Sequence, residues 1–522
     1  MFSTQARRAG ASLIRVQYGP HIGGRFTKGS GGVIPVLNPA TNQPLTNVMS
    51  ASPSDVQHAI NAAQDAFNSG KWSRAPALHR ATVLTRLARL LEERVPDLAQ
   101  IESMQTGRTI REMKVQLARL PEWIDYFAAL VRTQQGLVAP TQGPLLNYVT
   151  RVPLGVVAQI TPFNHPLLIA IKKIAPALAA GNCVIVKPSE LAPLTVLEFA
   201  ELAIEAGIPP STLQILPGGP ETGQAIVSHP WIKKVDVTAG TAAGRAIGST
   251  VGRNLASYTA ELGGKAPIIV FGDADLEAAV NGVAFACFVA SGQTCVSGTR
   301  LIVEDTIYYP FVDVLVKKLK SIEGRMGDPL NPRSTMGPVI SKASLARAEQ
   351  VISRLPGHAR ILSGGVRLTT PSPLDSFSRS EGNFFPPTLI AGVQAADELW
   401  QEEVFGPIVA MTNFSGEKEA VQLANACKYG LGAGVWTQDV GRALRVSKDI
   451  EAGLVWVNAH HRNDPSSPWG GMKESGIGRE NGIEAFESYS QSKSTIINTS
   501  TVEEMRERDD WFADSETVRR YG

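Results

Sequence analysis

The segment SGQTCVSG, residues 291–298, sets a cysteine among small and polar residues directly after an apolar run. The chain has four cysteines, Cys183, Cys287, Cys295 and Cys427. That is too few for a disulfide framework, and none sits in a CxxC or His/Cys spacing suited to zinc. No metal site is expected. Cys295 is therefore either buried filler or a nucleophile. Two other segments carry groups that could serve a nucleophile. In ELGGK (261–265) a glutamate precedes a double glycine. Glu261 is a general base if it faces a cleft, and a surface charge otherwise. In ITPFNHP (160–166) two prolines stiffen a strand-to-helix connection around Asn164. Its amide is either an oxyanion donor or a helix cap.

Four further segments have the composition of ligand-binding turns. KPSE (187–190) follows the apolar run CVIVK. The carboxyl end of a parallel strand is where open α/β sheets bind nucleotides, and an acidic residue there can hold ribose hydroxyls. The alternative is a solvated turn. TAGTAAG (238–244) joins an apolar run to a helical one. Its glycines either admit a pyrophosphate to a helix N-terminus or simply pack, and it is not the GxGxxG fingerprint. EEVFGP (402–407) is a charged turn ahead of a strand, or a ligand contact. SPWGGMKESG (467–476) is a flexible loop, or a lining loop with an aromatic anchor.

These groups must be positioned by regular elements. Ser54 and Asp55 are placed to cap a helix running through Val56, Ile60, Ala63 and Phe67. Apolar spacing predicts further helices over 78–95 and 113–131, so the first ~130 residues read as mainly helical beyond an extended arm. From residue 145 the pattern changes. Strands are predicted at 148–153, 156–160, 183–187, 213–216 and 234–238, with helices at 166–179, 192–206, 221–228 and 241–252. A second alternation follows, with strands at 267–271, 300–303, 408–414, 434–437 and 455–458, and helices at 275–285, 307–322 and 417–426. Alternation of this kind builds parallel sheets covered on both faces. Two α/β units are expected, divided near residue 262, with 371–383 a surface loop.

The bulk numbers agree. A chain of 522 residues exceeds one compact core. Hydrophobic residues make up 43% and charged residues 19%, as in soluble globular proteins. A net charge of +2 gives no reason to expect nucleic acid, and no apolar run reaches the ~20 residues of a membrane span. The first 18 residues carry Arg7, Arg8 and Arg15, and the first acidic residue is Asp55. This segment reads as a basic arm of a cytoplasmic protein, or alternatively as a mitochondrial transit peptide.

Taken together and in order, PFNHP, KPSE, ELGGK, GQTC, EEVFGP and PWGGMKESGIGRE resemble the motifs of the NAD(P)-dependent aldehyde dehydrogenase superfamily. The resemblance runs from about residue 22 to about residue 494. It implies two Rossmann-like doubly wound parallel-sheet domains and a small β oligomerisation arm. The implied boundaries are 1–138 with 154–262 for cofactor binding, 263–468 for catalysis, 139–153 with 484–497 for the arm, and 498–522 as a tail. It implies oxidation of an aldehyde to its acid, with Cys295 as nucleophile, Glu261 as base and Asn164 as oxyanion donor alongside the Cys295 N–H. The implied cofactor contacts are Ile160, Thr161, Phe163, Lys187, Ser189, Glu190, Thr238, Ala239, Gly240, Gly244, Leu262, Glu403 and Phe405. Ala239 departs from the family's usual glycine, and Phe163 from a frequent tryptophan. Glu190 near the ribose favours NAD over NADP, with NADP use left open.

By motif position His165, Leu168, Ile169, Lys172, Thr294 and Trp469 line the aldehyde's path, with His460, His461 and Arg462 at its mouth. Together with Lys172 these residues make the mouth polar and point to an aromatic or oxygenated aldehyde, with or without an acidic group, or else face solvent. The alternatives to aldehyde oxidation are a CoA-acylating relative and an inactive binding relative. The arm implies a homodimer or homotetramer, its strands pairing across subunits.

Overall fold

Two parallel sheets arise where β-branched apolar runs alternate with helices. The computed structural model describes residues 13–508 and 510–514. Most of the segment weighed as a transit peptide, and the end of the tail, lie outside the described residues.

The first sheet has eight strands in the spatial order Gly476–Ile477, Ser257–Glu261, Ile232–Thr238, Val156–Ile160, Cys183–Lys187, Leu213–Ile215, His21–Ile22 and Arg25–Phe26. The middle five run parallel. Antiparallel strands close both edges. One face is covered by helices Ala77–Thr106, Leu120–Thr133, Pro166–Ala179 and Leu194–Ala206. The other is covered by Pro53–Ser69, Pro220–Val227 and Thr241–Arg253. Burial on both faces explains why Cys183–Val186 are apolar throughout rather than alternating, with Lys187 only at the strand's end.

The second sheet has seven strands, ordered Arg360–Ser363, Thr388–Ala391, Ile408–Phe414, Arg300–Glu304, Pro267–Val270, Gly432–Trp436 and Leu454–Val457. All are parallel except the first. Helices Leu276–Phe288 and Tyr308–Glu323 pack on one face, and Lys342–Ser353 and Glu417–Asn425 on the other. The doubly wound α/β class is as expected.

Several details differ from expectation. The first helix is capped by Ser52, not Ser54. Its side chain accepts from Asp55 N while Asp55 returns a bond to the Ser52 N–H, a capping box with Pro53 at the first turn. The helix expected over 113–131 is two, Ile110–Leu117 and Leu120–Thr133, because Pro121 starts a new helix. Beyond an extended arm, which among the described residues holds five short strands between Gln17 and Met49, the first ~130 residues are mainly helical, as expected. Strands Ser257–Glu261, Arg360–Ser363 and Thr388–Ala391 and helix Lys342–Ser353 were not expected. Strand Ser490–Asn498 pairs along its whole length with Leu145–Pro153 of its own chain, and Leu137–Ala139 adds a third strand. The arm's terminal strand is thus supplied in cis, where pairing across subunits was expected.

Candidate active site

Four of the motifs fall at the carboxyl ends of four neighbouring parallel strands. Glu261, Thr238, Ile160 and Lys187 are the last residues of adjacent strands in one sheet. This end of an open α/β sheet is where the loops form a crevice.

The Cys295 loop docks against that row. It follows a 3₁₀ turn, Val289–Gly292, in which Ala290 and Ser291 have φ of 53° and 56°. Gly292 has φ +70°, and a Cβ there would lie 2.4 Å from the Gly406 oxygen, so only glycine lets the loop meet Phe405-Gly406-Pro407. Asn164 Nδ2 donates to the Gln293 oxygen at 2.8 Å, across 129 residues of sequence. The Gln293 side chain accepts from Ile340 N at 3.0 Å. His460 Nε2 donates to the Val296 oxygen at 2.7 Å. Among the described residues the Cys295 N–H has no acceptor, and Asn164 Oδ1 is buried without a partner. Cys295 is half-buried and Thr294 buried, whereas Cys183 and Cys287 lie wholly inside the cores. Burial, then the Glu261 and Glu403 carboxylates, push the Cys295 thiol up to about 12, with Lys172 opposing.

Glu261 is not on a loop but closes a strand, and it is 2% exposed. Neither carboxylate oxygen has a hydrogen-bond partner. Burial, then the nearby Glu480 carboxylate, hold it well above the usual carboxylate range, and Lys172 and Lys173 only partly offset this. A buried carboxyl with free lone pairs and a raised pKa is suited to accept a proton near neutral pH.

Behind it lies a buried ionic cluster. Lys172 Nζ meets Glu480 Oε2 at 2.6 Å, and Lys173 Nζ bridges Glu480 and Asp236. Tyr489 OH donates to Asp236 at 2.6 Å. Burial alone would raise the Glu480 pKa, but the two lysines hold it at about 2. Lys172 was expected at a polar mouth. It is 3% exposed instead, paired with Glu480 and lying 4.5 Å over the Trp469 ring. Helix Pro166–Ala179 is buried on every side, so its two lysines need internal partners.

The remaining expected contacts divide by place. Glu403 is half-buried, and its Oε1 accepts from Gly264 N at 2.9 Å. Phe405, with φ 57°, meets Phe163 edge-on at 5.6 Å. Lys187 is buried with its Nζ 3.7 Å from the more exposed Glu190. Ser189 Oγ accepts from Leu191 N. Thr161 N donates to the Lys187 oxygen, and Ala239 N to the Glu261 oxygen. Gly240 precedes helix Thr241–Arg253 with no side-chain cap, and the space over its Cα is open. A Cβ on Gly244 would strike Leu262 at 2.3 Å, so this glycine lets the helix settle on the strand. An uncapped helix start, an open Cα and a carboxylate at each end of the row fit a dinucleotide.

On the substrate side His165 and Trp469 are buried, as are Leu168 and Ile169. His460 packs on Trp456 at 4.6 Å. Arg462 is exposed, and its carbonyl accepts from Trp456 Nε1. Sequence reasoning missed Glu480, Lys173, Asp236, Gln293 and Arg108. The signal was present for the lysine: two adjacent cations in an otherwise apolar helical run.

The aldehyde dehydrogenase family model matches residues 26–495. The chain belongs to the aldehyde dehydrogenase family. It is an oxidoreductase that converts aldehydes to acids. It is 39% identical to the phenylacetaldehyde dehydrogenase of Pseudomonas fluorescens over 93% of this chain and 96% of that one. It is 39% identical to the chloroplastic betaine aldehyde dehydrogenase of Amaranthus hypochondriacus, over 90% and 93% respectively. Among solved structures, PnpE in complex with nicotinamide adenine dinucleotide superposes with a TM-score of 0.89 at 39% identity, covering 93% of this enzyme and 98% of that chain. Betaine aldehyde dehydrogenase from Staphylococcus aureus in complex with NAD+ gives 0.89 at 35%, covering 95% and 96%.

Proposed function

We propose that the enzyme oxidises an aldehyde through a covalent intermediate on Cys295, with NAD+ as electron acceptor. The observation that carries this is the docking of the Cys295 loop on Asn164 beside the unpartnered Glu261 carboxylate. The thiol is protonated at neutral pH, so its S–H proton passes to water as the sulfur attacks and leaves with the NADH-forming half-reaction. Cys295 Sγ adds to the aldehyde carbonyl, and Asn164 Nδ2 and the Cys295 N–H hold the resulting oxyanion. Bound NAD+ supplies the acceptor for the hydride that leaves the thiohemiacetal carbon. Glu261 then takes a proton from the water that attacks the thioester, releasing acid and free thiol.

Lys187, Ser189 and Glu190 would hold one ribose, residues 238–244 the pyrophosphate, and Glu403 with Phe405 the nicotinamide end. Glu190 favours a free 2′-hydroxyl over a 2′-phosphate by charge repulsion, hence NAD over NADP. In this reading residues 1–138 and 154–262 bind the cofactor, 263–468 carry the nucleophile, and 139–153 with 484–497 form an oligomerisation arm. The exposed Leu137, Val138, Ile496 and Ile497 on that three-stranded sheet support a dimer or tetramer, which light scattering decides. Among the described residues no helix is long and apolar enough to cross a membrane. A cytoplasmic location is proposed, and fractionation of cells expressing the full chain tests it against a mitochondrial one.

The deciding experiment follows NADH absorbance with a panel of aldehydes and with NAD+ or NADP+. Cys295→Ser should abolish turnover. Unchanged activity overturns the assignment, and acyl-CoA formation on adding CoA replaces water with CoA as acceptor.

A further inference from the structure

The far wall of the site holds a histidine whose hydrogen bonding is incomplete. His165 precedes helix Pro166–Ala179, next to Asn164, and is 4% exposed. Arg108 Nη1 lies 2.7 Å from its Nδ1. A guanidinium only donates, so Nδ1 is the acceptor and the neutral ring carries its proton on Nε2. Burial, then Arg108, His461 and Lys172, hold this ring well below the usual histidine range, so it stays neutral. Nε2 is buried and has no partner. A donor left unmade in a protein interior is costly, and a ligand oxygen would satisfy it.

Flat groups cluster around this ring. The His461 ring lies 5.7 Å from the His165 ring, 6.4 Å from Trp469 and 6.5 Å from Phe285. An aromatic wall commonly receives a cationic ligand on a ring face. Here the Trp469 face already carries the enzyme's own ammonium, Lys172 Nζ at 4.5 Å. Lys172 is paired with Glu480 and Arg108 with Glu112, so a second ammonium is excluded by occupancy of the ring face rather than by net charge.

Resting on the aldehyde-oxidising reading, we propose that the enzyme selects flat aldehydes bearing an acceptor oxygen, neutral or anionic, for the His165 Nε2–H, and rejects aldehydes bearing an ammonium group. This separates it from its betaine aldehyde dehydrogenase relatives despite their overall similarity.

The test compares kcat/KM for phenylacetaldehyde, its ring-hydroxylated and ring-carboxylated analogues, and betaine aldehyde. At least one oxygenated analogue should exceed phenylacetaldehyde by about tenfold or more, and betaine aldehyde should fall about 100-fold below the best. The hydroxylated and carboxylated arms distinguish a neutral from an anionic oxygen. His165→Phe should collapse the oxygenated-to-plain ratio towards one, and Lys172→Met should narrow the gap to betaine aldehyde. Equal kcat/KM for the plain and both oxygenated substrates, or efficient betaine aldehyde turnover, overturns the proposal. Calorimetric binding of the same compounds to Cys295→Ser should give the same order without turnover, and a flat order there overturns it equally. Absence of NADH with every aldehyde, with that binding order intact, would instead overturn the oxidation reading.

Discussion

The two glycines of ELGGK should answer differently to the same added methyl group. In Gly264→Ala the new Cβ would sit 2.0 Å from the carbonyl oxygen of Cys295, and real Cβ contacts do not close below 3.0 Å. The obstructing atom is backbone, so no side chain can swing aside. The Cys295 loop must therefore retreat by roughly 1 Å, and a misplacement of that size at a reacting group costs about 100-fold. Overpacking adds a stability loss of about 1–3 kcal/mol. In Gly263→Ala the nearest atom is Glu403 Oε2 at 2.6 Å, the free end of a side chain. That variant should raise KM for NAD+ and leave the thiol in place. The assay pairs steady-state NADH formation with the rate of Cys295 alkylation by iodoacetamide, and with thermal melting to confirm folding. Gly264→Ala should lose about 100-fold in kcat/KM and show an altered alkylation rate, whereas Gly263→Ala should keep the wild-type alkylation rate. A folded Gly264→Ala enzyme within twofold of wild type on both measures refutes the argument.

Glu261→Gln should give a rapid burst of about one NADH per active site and then a steady rate lowered by about 100- to 10,000-fold, because only water activation is lost; stopped-flow absorbance reads both phases, and a slowed burst would place Glu261 earlier in the reaction. Because Glu261 is held well above the usual carboxylate range, wild-type hydrolysis should rise with pH as the base deprotonates, and the variant should lose that limb. His460 is held at about 4 by burial, against 6.5 for a free imidazole. The unfolded chain binds the extra proton between those values, so stability should fall as pH drops from 6.5 towards 4, by up to about 1.4 kcal/mol per pH unit; melting temperatures of wild type and His460→Asn across that range check it. Tyr489→Phe leaves Asp236 one donor short and should cost about 1–3 kcal/mol, read as faster thermal inactivation.

The alternation of apolar runs with helices was legible because strands buried on both faces admit only such residues. The motif positions followed from it, since loops at strand ends are where glycine, proline and asparagine concentrate. Strand Ser257–Glu261 was illegible because SYTAE has neither a full apolar run nor clean alternation. Its place in the sheet depends on pairing with Ile232–Thr238, a tertiary fact. Ser52 and Ser54 both stand before the same helical spacing, and only the Asp55 side chain returning to the Ser52 N–H, a contact absent from local composition, distinguishes them. The ionic cluster was beyond reach for another reason. Asp236, Glu480 and Tyr489 are distant in sequence from Lys173, and nothing local indicates that buried cations will find them.

The edge strand beside Glu261 comes from residues 476–477, and Leu262 N donates to the Ser475 oxygen. The arm likewise waits for residues 490–498 to pair with 145–153. On the ribosome the N-terminal half is therefore synthesised long before its sheet acquires its last strand. Contacts of such long sequence separation form late and leave apolar edges open meanwhile. The nascent chain should gain activity only after residues 476–498 emerge, and their deletion should yield an insoluble product rather than a weakened enzyme.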